Sequence, residues 1–336
     1  MMCQRLKKDY ENDMHYAIGD LHGQLSALKE LLVTIQYDPE EDFLYFVGDY
    51  TDWGPDSMEL IKLLMQLEAE NPGVHPLLGN HDLMMWKTIT NPEITDQTLQ
   101  GVSHWARNRG DVTLRQYLAL PREEQEQILK WIEQLPVEAF VEVDGVSAAA
   151  SSDYVQDAAG AEQNALKYRY CICHGMPLSA VAEKPEGWNQ PQRARAYLQT
   201  GDNYGRTVAF PELTIGIMNA ALDPEIRTIL WQLIYDAVWY RIRPYETWHC
   251  QIPILKDVQI IRGHSITPSR RLESWENGII NIDCGAKVLQ ASLADEDGDV
   301  EEWKLDQTAK LAAFCLETQE VFYAGRHAEI SDLEKP

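Results

Sequence analysis

The sequence predicts an α/β fold, and two observations predict it. Three short apolar runs, His15 to Asp20, Phe43 to Asp49 and Val74 to Asn80, each end in a glycine followed by a polar residue. Between them, Leu25, Leu28, Leu31, Leu32 and Ile35, and then Leu60, Ile61, Leu64 and Leu67, recur at helical spacing. The order β-α-β-α-β makes parallel strands with right-handed crossovers, so all three strand ends fall on one edge of a sheet. Ligands of open α/β sheets sit at that carboxyl edge. The pattern therefore brings Asp20, His22, Asp49, Asp52, Asn80 and His81 together.

Composition bounds what such an edge can serve. The chain has 336 residues, 29 Lys plus Arg against 53 Asp plus Glu, and a formal net charge of -24. Phosphate backbones and anionic membranes need clustered cations, so nucleic-acid and membrane partners are excluded. With 45% hydrophobic residues, ten Trp and 15 Tyr, the chain can bury a large core and is not disordered. The amino terminus MMCQRLKKDYENDMHY has no apolar run behind its basic residues, and no stretch approaches ~20 uninterrupted apolar residues. We expect a soluble cytoplasmic protein. Cys3, Cys171, Cys173, Cys250, Cys284 and Cys315 form neither a disulfide framework nor a paired C-x-x-C zinc site, and are read as reduced thiols.

Three Asp, two His and an Asn at one edge suit hard or borderline divalent metals, and a bridging carboxylate permits two ions ~3.5 to 4 Å apart. Glycine before each ligand allows close approach of backbone and metal.

The motifs also resemble a known family. Gly19-Asp20-Leu21-His22-Gly23, Gly48-Asp49-Tyr50-Thr51-Asp52-Trp53-Gly54-Pro55 and Gly79-Asn80-His81-Asp82 are similar to the GDxHG, GDxxDRGP and GNH(E/D) signatures of the calcineurin-like metallophosphoesterases. The branch they resemble is that of the serine/threonine phosphoprotein phosphatases and diadenosine tetraphosphatases. Cys173-His174-Gly175 follows the apolar run from Tyr170, Arg262-Gly263-His264-Ser265 follows the run from Val258, and Ile280 to Ala286 is similar to the IDTGA segment that closes the sheet. The resemblance covers roughly residues 15 to 295 and implies a β-sandwich flanked by helices, with a dinuclear metal site at the sheet edge.

Carried over residue by residue, it implies that Asp20 and His22 bind a first metal, that Asp49 bridges both, and that Asn80, His174 and His264 bind the second. His81 would be the general acid, tuned by Asp52, because a neighbouring carboxylate favours the charged imidazole. The attacking group would be a metal-bridging hydroxide. The N and O ligands suit manganese first, with iron, zinc and magnesium as alternatives.

Of the family's two phosphate-clamping arginines, Trp239-Tyr240-Arg241 supplies one as Arg241, with Arg243 as its substitute. The other is missing, since Trp53 stands where the family has arginine. Losing that bidentate group weakens the grip on a terminal phosphate dianion, while the indole offers a stacking face. Trp105 to Leu114 resembles a W-x-x-NGG-x-x-TL element with Arg109 in place of a glycine, and Arg109 is a second candidate for substrate binding.

Further along, Pro121 to Pro136 reads as an amphipathic helix with Ile128, Leu129, Trp131 and Ile132 inward, and Glu138 to Val143 as a strand leading into a polar loop from Gly145 to Gln163. Asp295 to Asp299 reads as a turn. His15, His75, His104, His249 and His327 fit no motif and are read as structural or surface residues. We expect one catalytic domain over 1–336, an inserted cap over 176–236 that includes helical spacing from Leu213 to Tyr240, and a C-terminal extension over 308–336. The expected activity is phosphoester hydrolysis. A phosphoprotein (Ser/Thr) phosphatase ranks first, a symmetrical diadenosine tetraphosphatase or other nucleotide phosphohydrolase second, and a non-catalytic metal-binding module third. The partner is then a phosphorylated protein or a small phosphoester.

Overall fold

The computed structural model describes residues 13–91, 104–145, 166–183, 213–221, 223–289, 306 and 308–325. The expected loop after Gly145, the turn at Asp295 to Asp299, residues 184–212 of the expected cap, and both termini lie outside these.

The three amino-terminal runs form β1 (His15–Ile18), β2 (Phe43–Phe46) and β3 (Val74–Pro76), with α1 (Leu25–Thr34) and α2 (Ser57–Glu70) between them. The strands are parallel, His15 pairing with Phe43 and Leu44 with Val74. Two strands from the far end of the chain extend this sheet on the other side of β1. They are β9 (Leu311–Cys315) and β10 (Val321–Ala324), and the order is β10-β9-β1-β2-β3. The described part of the expected C-terminal extension is therefore part of the sheet.

A second sheet contains β4 (Glu138–Gly145), β5 (Leu166–Cys173), β6 (Gln259–Arg262), β7 (Glu273–Ser274) and β8 (Ile279–Asn281), in the order β4-β5-β6-β8-β7. Within it β5, β6 and β8 run parallel. Because side chains alternate along a strand, each sheet has two apolar faces. Ala17, Tyr45 and Phe314 from the first meet Tyr170, Ile172, Ile261 and Ile280 from the second in one buried cluster. Tyr16, Ile18, Leu44, Phe46, Cys171 and Ile260 face the other way, into a larger cluster shared with the helices. The architecture is a β-sandwich flanked by helices.

The flanking helices include α3 (Asn80–Ile89), α4 (Gly110–Leu118), α5 (Arg122–Gln134), α6 (Leu178–Glu183), α7 (Ile215–Ala220) and α8 (Pro224–Trp239). Ile128, Trp131 and Ile132 are the buried face of α5, as the apolar spacing requires. Helix α8 opens with Asp223 accepting from the Glu225 and Ile226 N–H groups and with proline in its first turn. It buries Leu230, Leu233, Ile234, Ala237 and Val238 and packs on α3, α6 and α7, so this described part of the expected cap is seated on the main core. Among the described residues no helix is long and apolar enough to cross a membrane.

Candidate active site

The loops leaving β1, β2 and β3 are tied to one another before any side chain is considered. The Leu21 and His22 N–H groups donate to the Asp49 carbonyl at 3.1 and 2.7 Å, and Gly23 N–H donates to Tyr50 O at 2.8 Å. Asp82 completes the frame, its carboxylate accepting from the N–H groups of Asp49 (2.9 Å), Tyr50 (2.9 Å) and Gly79 (3.1 Å). Several residues at this edge adopt the left-handed backbone region: His22 (φ 43°), Asp49 (57°), Asp52 (73°), Trp53 (66°) and His264 (69°). Non-glycine residues in that region carry strain, and such strain concentrates where geometry matters more than stability. Two glycines cradle carboxylates. A Cβ at Gly79 would stand 2.1 Å from the Asp49 nitrogen, and one at Gly263 would stand 1.8 Å from Asp20 Oδ1.

The structure gathers Asp20, His22, Asp49, Asn80, His174 and His264 at this edge, all buried. His22 Nδ1–H donates to the Thr51 carbonyl at 2.9 Å, which leaves Nε2 facing Asp49 Oδ2 at 3.5 Å. His174 Nδ1–H donates to the Val47 carbonyl at 3.0 Å, so its Nε2 faces Asp49 Oδ1 at 3.3 Å and Asn80 Oδ1 at 2.8 Å. His264 Nδ1 lies 2.6 Å from the same Asn80 oxygen. Two ring nitrogens and two carboxylate or amide oxygens thus converge on one point. Burial alone would lower the His174 pKa, yet the Asp49 and Asp20 carboxylates hold it up at about 9. His22 and His264 lie well below the usual histidine range, first through burial and then through neighbouring cations, and neutral imidazole is the form that ligates metal. Two sets of three, His22 with Asp49 and His81, and Asp49 with His174 and His264, each bring their ligand atoms within 4.8 Å, and Asp49 is common to both. This donor set fits a pair of divalent cations. Asp20 accepts the His264 N–H at 3.0 and 3.2 Å and lies in neither set.

Beside this cluster, His81 Nδ1 stands 2.6 Å from Asp52 Oδ2. The His22 and His81 rings meet edge to face at 4.7 Å. Burial would lower the His81 pKa, but the Asp49 and Asp52 carboxylates raise it above its ordinary value. The Asp52 carboxylate is raised by burial and held against that by the His81, Thr113 and Trp105 hydrogen bonds. Trp105 Nε1 donates at 3.0 Å to both carboxylate oxygens and Thr113 Oγ1 at 2.6 Å to one. Sequence reasoning gave neither Trp105 nor Thr113 a part here. Their spacing on either side of Arg109 was the available signal.

Arg241, read from the sequence as a phosphate clamp, has its Nη1 3.2 Å from Ser265 Oγ and 3.4 Å from the His264 carbonyl. Arg109 ends a 3-10 turn with φ 69°, its N–H donating to the Ala106 carbonyl at 3.1 Å, and its side chain makes no hydrogen bond or ion pair among the described residues. Trp53, expected to offer a stacking face, carries the Lys287 ammonium 5.3 Å from its ring centroid. Sequence reasoning missed Lys287 altogether. A separate aromatic surface was also missed. A cavity of about 300 Å³ lies between α3 and α8, lined among others by Lys87, His104, Trp105, Trp231, Tyr235 and Trp239. It adjoins the cluster at two points, through Trp105 on Asp52 and through Trp239, whose ring meets His264 edge to face at 5.9 Å. Of the other unplaced histidines, three are structural and His327 lies outside the described residues. His15 pairs with Glu317, His75 stacks on Tyr45, and His249 bonds the Asn277 carbonyl.

Residues 16–176 match the family described as calcineurin-like phosphoesterase. Over 283 residues the chain is 25% identical to a symmetrical bis(5'-nucleosyl)-tetraphosphatase of Pseudomonas syringae pv. tomato, an alignment that covers 80% of this chain and 81% of that protein. A protein of the same name from Pectobacterium atrosepticum is 30% identical over 122 residues, 36% of this chain and 37% of its own length. Among solved structures, a protein serine/threonine phosphatase from Saccharomyces cerevisiae superposes with a TM-score of 0.50 at 12% identity, covering 96% of this chain and 84% of that one, a likeness of fold.

Proposed function

This chain carries a calcineurin-like metallophosphoesterase domain and is a metal-dependent phosphoester hydrolase, and from that premise we propose that its substrates are dinucleoside polyphosphates, cleaved as by a symmetrical tetraphosphatase. The carrying observation is the aromatic cavity beside the metal edge. A nucleobase is flat and has a π-face, and Trp231, Tyr235 and Trp239 line a cavity that adjoins the metal edge, where Trp239 meets the His264 ring at 5.9 Å. A phosphoserine or phosphothreonine side chain has no ring to place there. The absence of an arginine at Trp53 points the same way, since a terminal dianion loses more from it than an inner phosphate does. The ranking from sequence, with phosphoprotein first, is accordingly reversed.

In this reading Asp20, His22 and Asp49 hold one ion, and Asp49, Asn80, His174 and His264 hold the other, with manganese the first metal to test. When bound, the two ions supply Lewis acidity to the phosphoryl group and acidify the attacking water. The chain's own groups do the rest. His81, kept protonated by Asp52, gives its proton to the leaving oxygen. Arg241, at the His264 end, holds a non-bridging phosphate oxygen. The framework of Asp82 and the two cradling glycines keeps the ligand carboxylates aimed.

The test compares ADP release from diadenosine tetraphosphate with phosphate release from a phosphoserine peptide, using protein loaded with Mn²⁺. The dinucleotide should be preferred in kcat/KM. Trp239→Ala should lower that preference ~5- to 100-fold, chiefly through KM, since stacking on one aromatic ring is worth ~1 to 3 kcal/mol per base. A higher kcat/KM for the phosphopeptide would return the protein-phosphatase reading to first place.

A further inference from the structure

We propose that Lys287, seated on Trp53, is the phosphate-binding cation at the leaving-group end of the site and selects substrates whose leaving group is itself a phosphate. This rests on the reading of the substrate as a dinucleoside polyphosphate.

Lys287 sits in a short 3-10 turn, Ala286–Val288, entered through Gly285 at φ 90°. Its ammonium lies 5.3 Å from the Trp53 ring centroid, and among the described residues it makes no ion pair. A half-buried ammonium on an indole face is held in place without a direct carboxylate contact, which leaves its N–H donors able to meet a phosphate oxygen. The chain around Trp53 identifies which end of the cluster it serves. Trp53 lies between Asp52, whose Oδ2 is 2.6 Å from His81 Nδ1, and Gly54, whose N–H donates to the His22 carbonyl at 2.9 Å. Arg241 acts at the opposite end, bonded to Ser265 Oγ at 3.2 Å and to the His264 carbonyl at 3.4 Å. Two cations therefore bracket the carboxylate and imidazole cluster, with His81 on the Lys287 side.

That placement discriminates by leaving group. In hydrolysis, water forms the new bond to phosphorus and releases a proton to solvent. The bridging P–O bond breaks, its electron pair leaves on the bridging oxygen, and that oxygen takes the His81 proton. A departing serine or threonine is then neutral and needs nothing more. A departing nucleoside diphosphate still carries charge on its non-bridging oxygens, and Lys287 stands where those oxygens emerge. Trp53 contributes by seating the ammonium and by withholding the fork of an arginine, which would grip a dianionic monoester in two-point fashion. This end of the site thus holds one point charge suited to one phosphate oxygen of a chain.

The experiment uses the Mn²⁺-loaded protein and the variants Lys287→Met and Lys287→Arg, each checked by thermal melting. Lys287→Met should lower kcat/KM on diadenosine tetraphosphate ~10- to 100-fold, as expected for loss of a charge-assisted bond, and at least tenfold more than on p-nitrophenyl phosphate. Lys287→Arg should restore most of the loss. Binding of ADP and of inorganic tripolyphosphate, measured calorimetrically, should weaken ~10-fold or more in Lys287→Met. Equal losses on both substrates, or unchanged affinity for ADP and tripolyphosphate, would overturn the assignment. If the wild-type protein hydrolyses p-nitrophenyl phosphate but not the dinucleotide, the substrate reading fails by itself, and the two binding measurements still decide the role of Lys287.

Discussion

His81 Nδ1 lies 2.6 Å from Asp52 Oδ2, and Asp52 has no exposure to solvent. A buried carboxylate against an imidazole keeps the ring charged, and the same contact fixes which ring nitrogen points away from it. His81 also falls in one set of three possible metal ligands, with His22 and Asp49. Acid and ligand are therefore the two roles to separate.

If His81 is the acid, His81→Asn retains both ions by elemental analysis and loses ~10²- to 10⁴-fold in kcat, the usual worth of a positioned general acid. The loss shrinks for nitrophenyl leaving groups, which depart with little protonation. Loss of one ion from His81→Asn, or an equal fall on good and poor leaving groups, assigns His81 to the metal instead.

Trp105 and Thr113 act through Asp52, as positioning residues. Trp105→Phe or Thr113→Val removes a donor from a carboxylate that burial already pushes towards its neutral form. A lost hydrogen bond to a charged group is worth ~1.5 to 3 kcal/mol, so kcat should fall ~10- to 100-fold, most for poor leaving groups. Because the effect passes through His81, adding either change to His81→Asn should do little more. Full additivity in the double variant would show that these residues act elsewhere.

Asp49 is common to both ligand sets and its Oδ1 also accepts the His81 N–H at 2.9 Å. Asp49→Asn should thus lower metal content at both positions, whereas His264→Ala should empty chiefly one. Metal analysis after gel filtration, with activity measured before and after chelator treatment, distinguishes them. Two ions retained by both variants, with activity near wild type, would remove these residues from the assignment.

Much of this site was readable in the sequence because each motif is local. A strand, a glycine and a ligand occupy consecutive positions, and parallel β-α-β topology dictates that β1, β2 and β3 deliver Asp20, Asp49 and Asn80 to one edge. What stayed hidden depends on contacts between distant segments. Trp105 reaches Asp52 across 53 residues of chain, and Lys287 reaches Trp53 from beyond the second sheet. The aromatic residues Trp231, Tyr235 and Trp239 recur at intervals of four on α8, a spacing visible in the sequence as an apolar face. Only the packing of α8 beside α3 turns that face into a cavity. Strands β9 and β10 were hidden for the same reason, since pairing with β1 is a property of tertiary placement and not of the local pattern.

Glu138 provides a prediction outside the chemistry. At the start of β4, its Oε2 accepts the Leu178 N–H at 2.7 Å and faces the Cys171 thiol at 3.9 Å, while Oε1 is buried without a hydrogen-bond partner among the described residues. Burial pushes its pKa to about 7, only partly opposed by the Leu178 and Ser179 N–H groups. The folded value lies above the unfolded one of ~4.3, so the folded state binds this proton more tightly. The stability it contributes is therefore fully present below the unfolded value and is lost as pH rises through about 7. A shift of this size amounts to ~3 kcal/mol at one pKa unit per 1.36 kcal/mol. Glu138→Gln stays neutral throughout. Its melting temperature relative to wild type should accordingly become more favourable by ~3 to 6 °C between pH 5 and pH 8, whatever constant offset the amide introduces. All other titrating groups are shared by the two proteins and cancel in the difference. A melting-temperature gap that stays flat across that range would mean that Glu138 is ionised in the folded protein at low pH and that its burial is compensated by groups other than the two N–H donors.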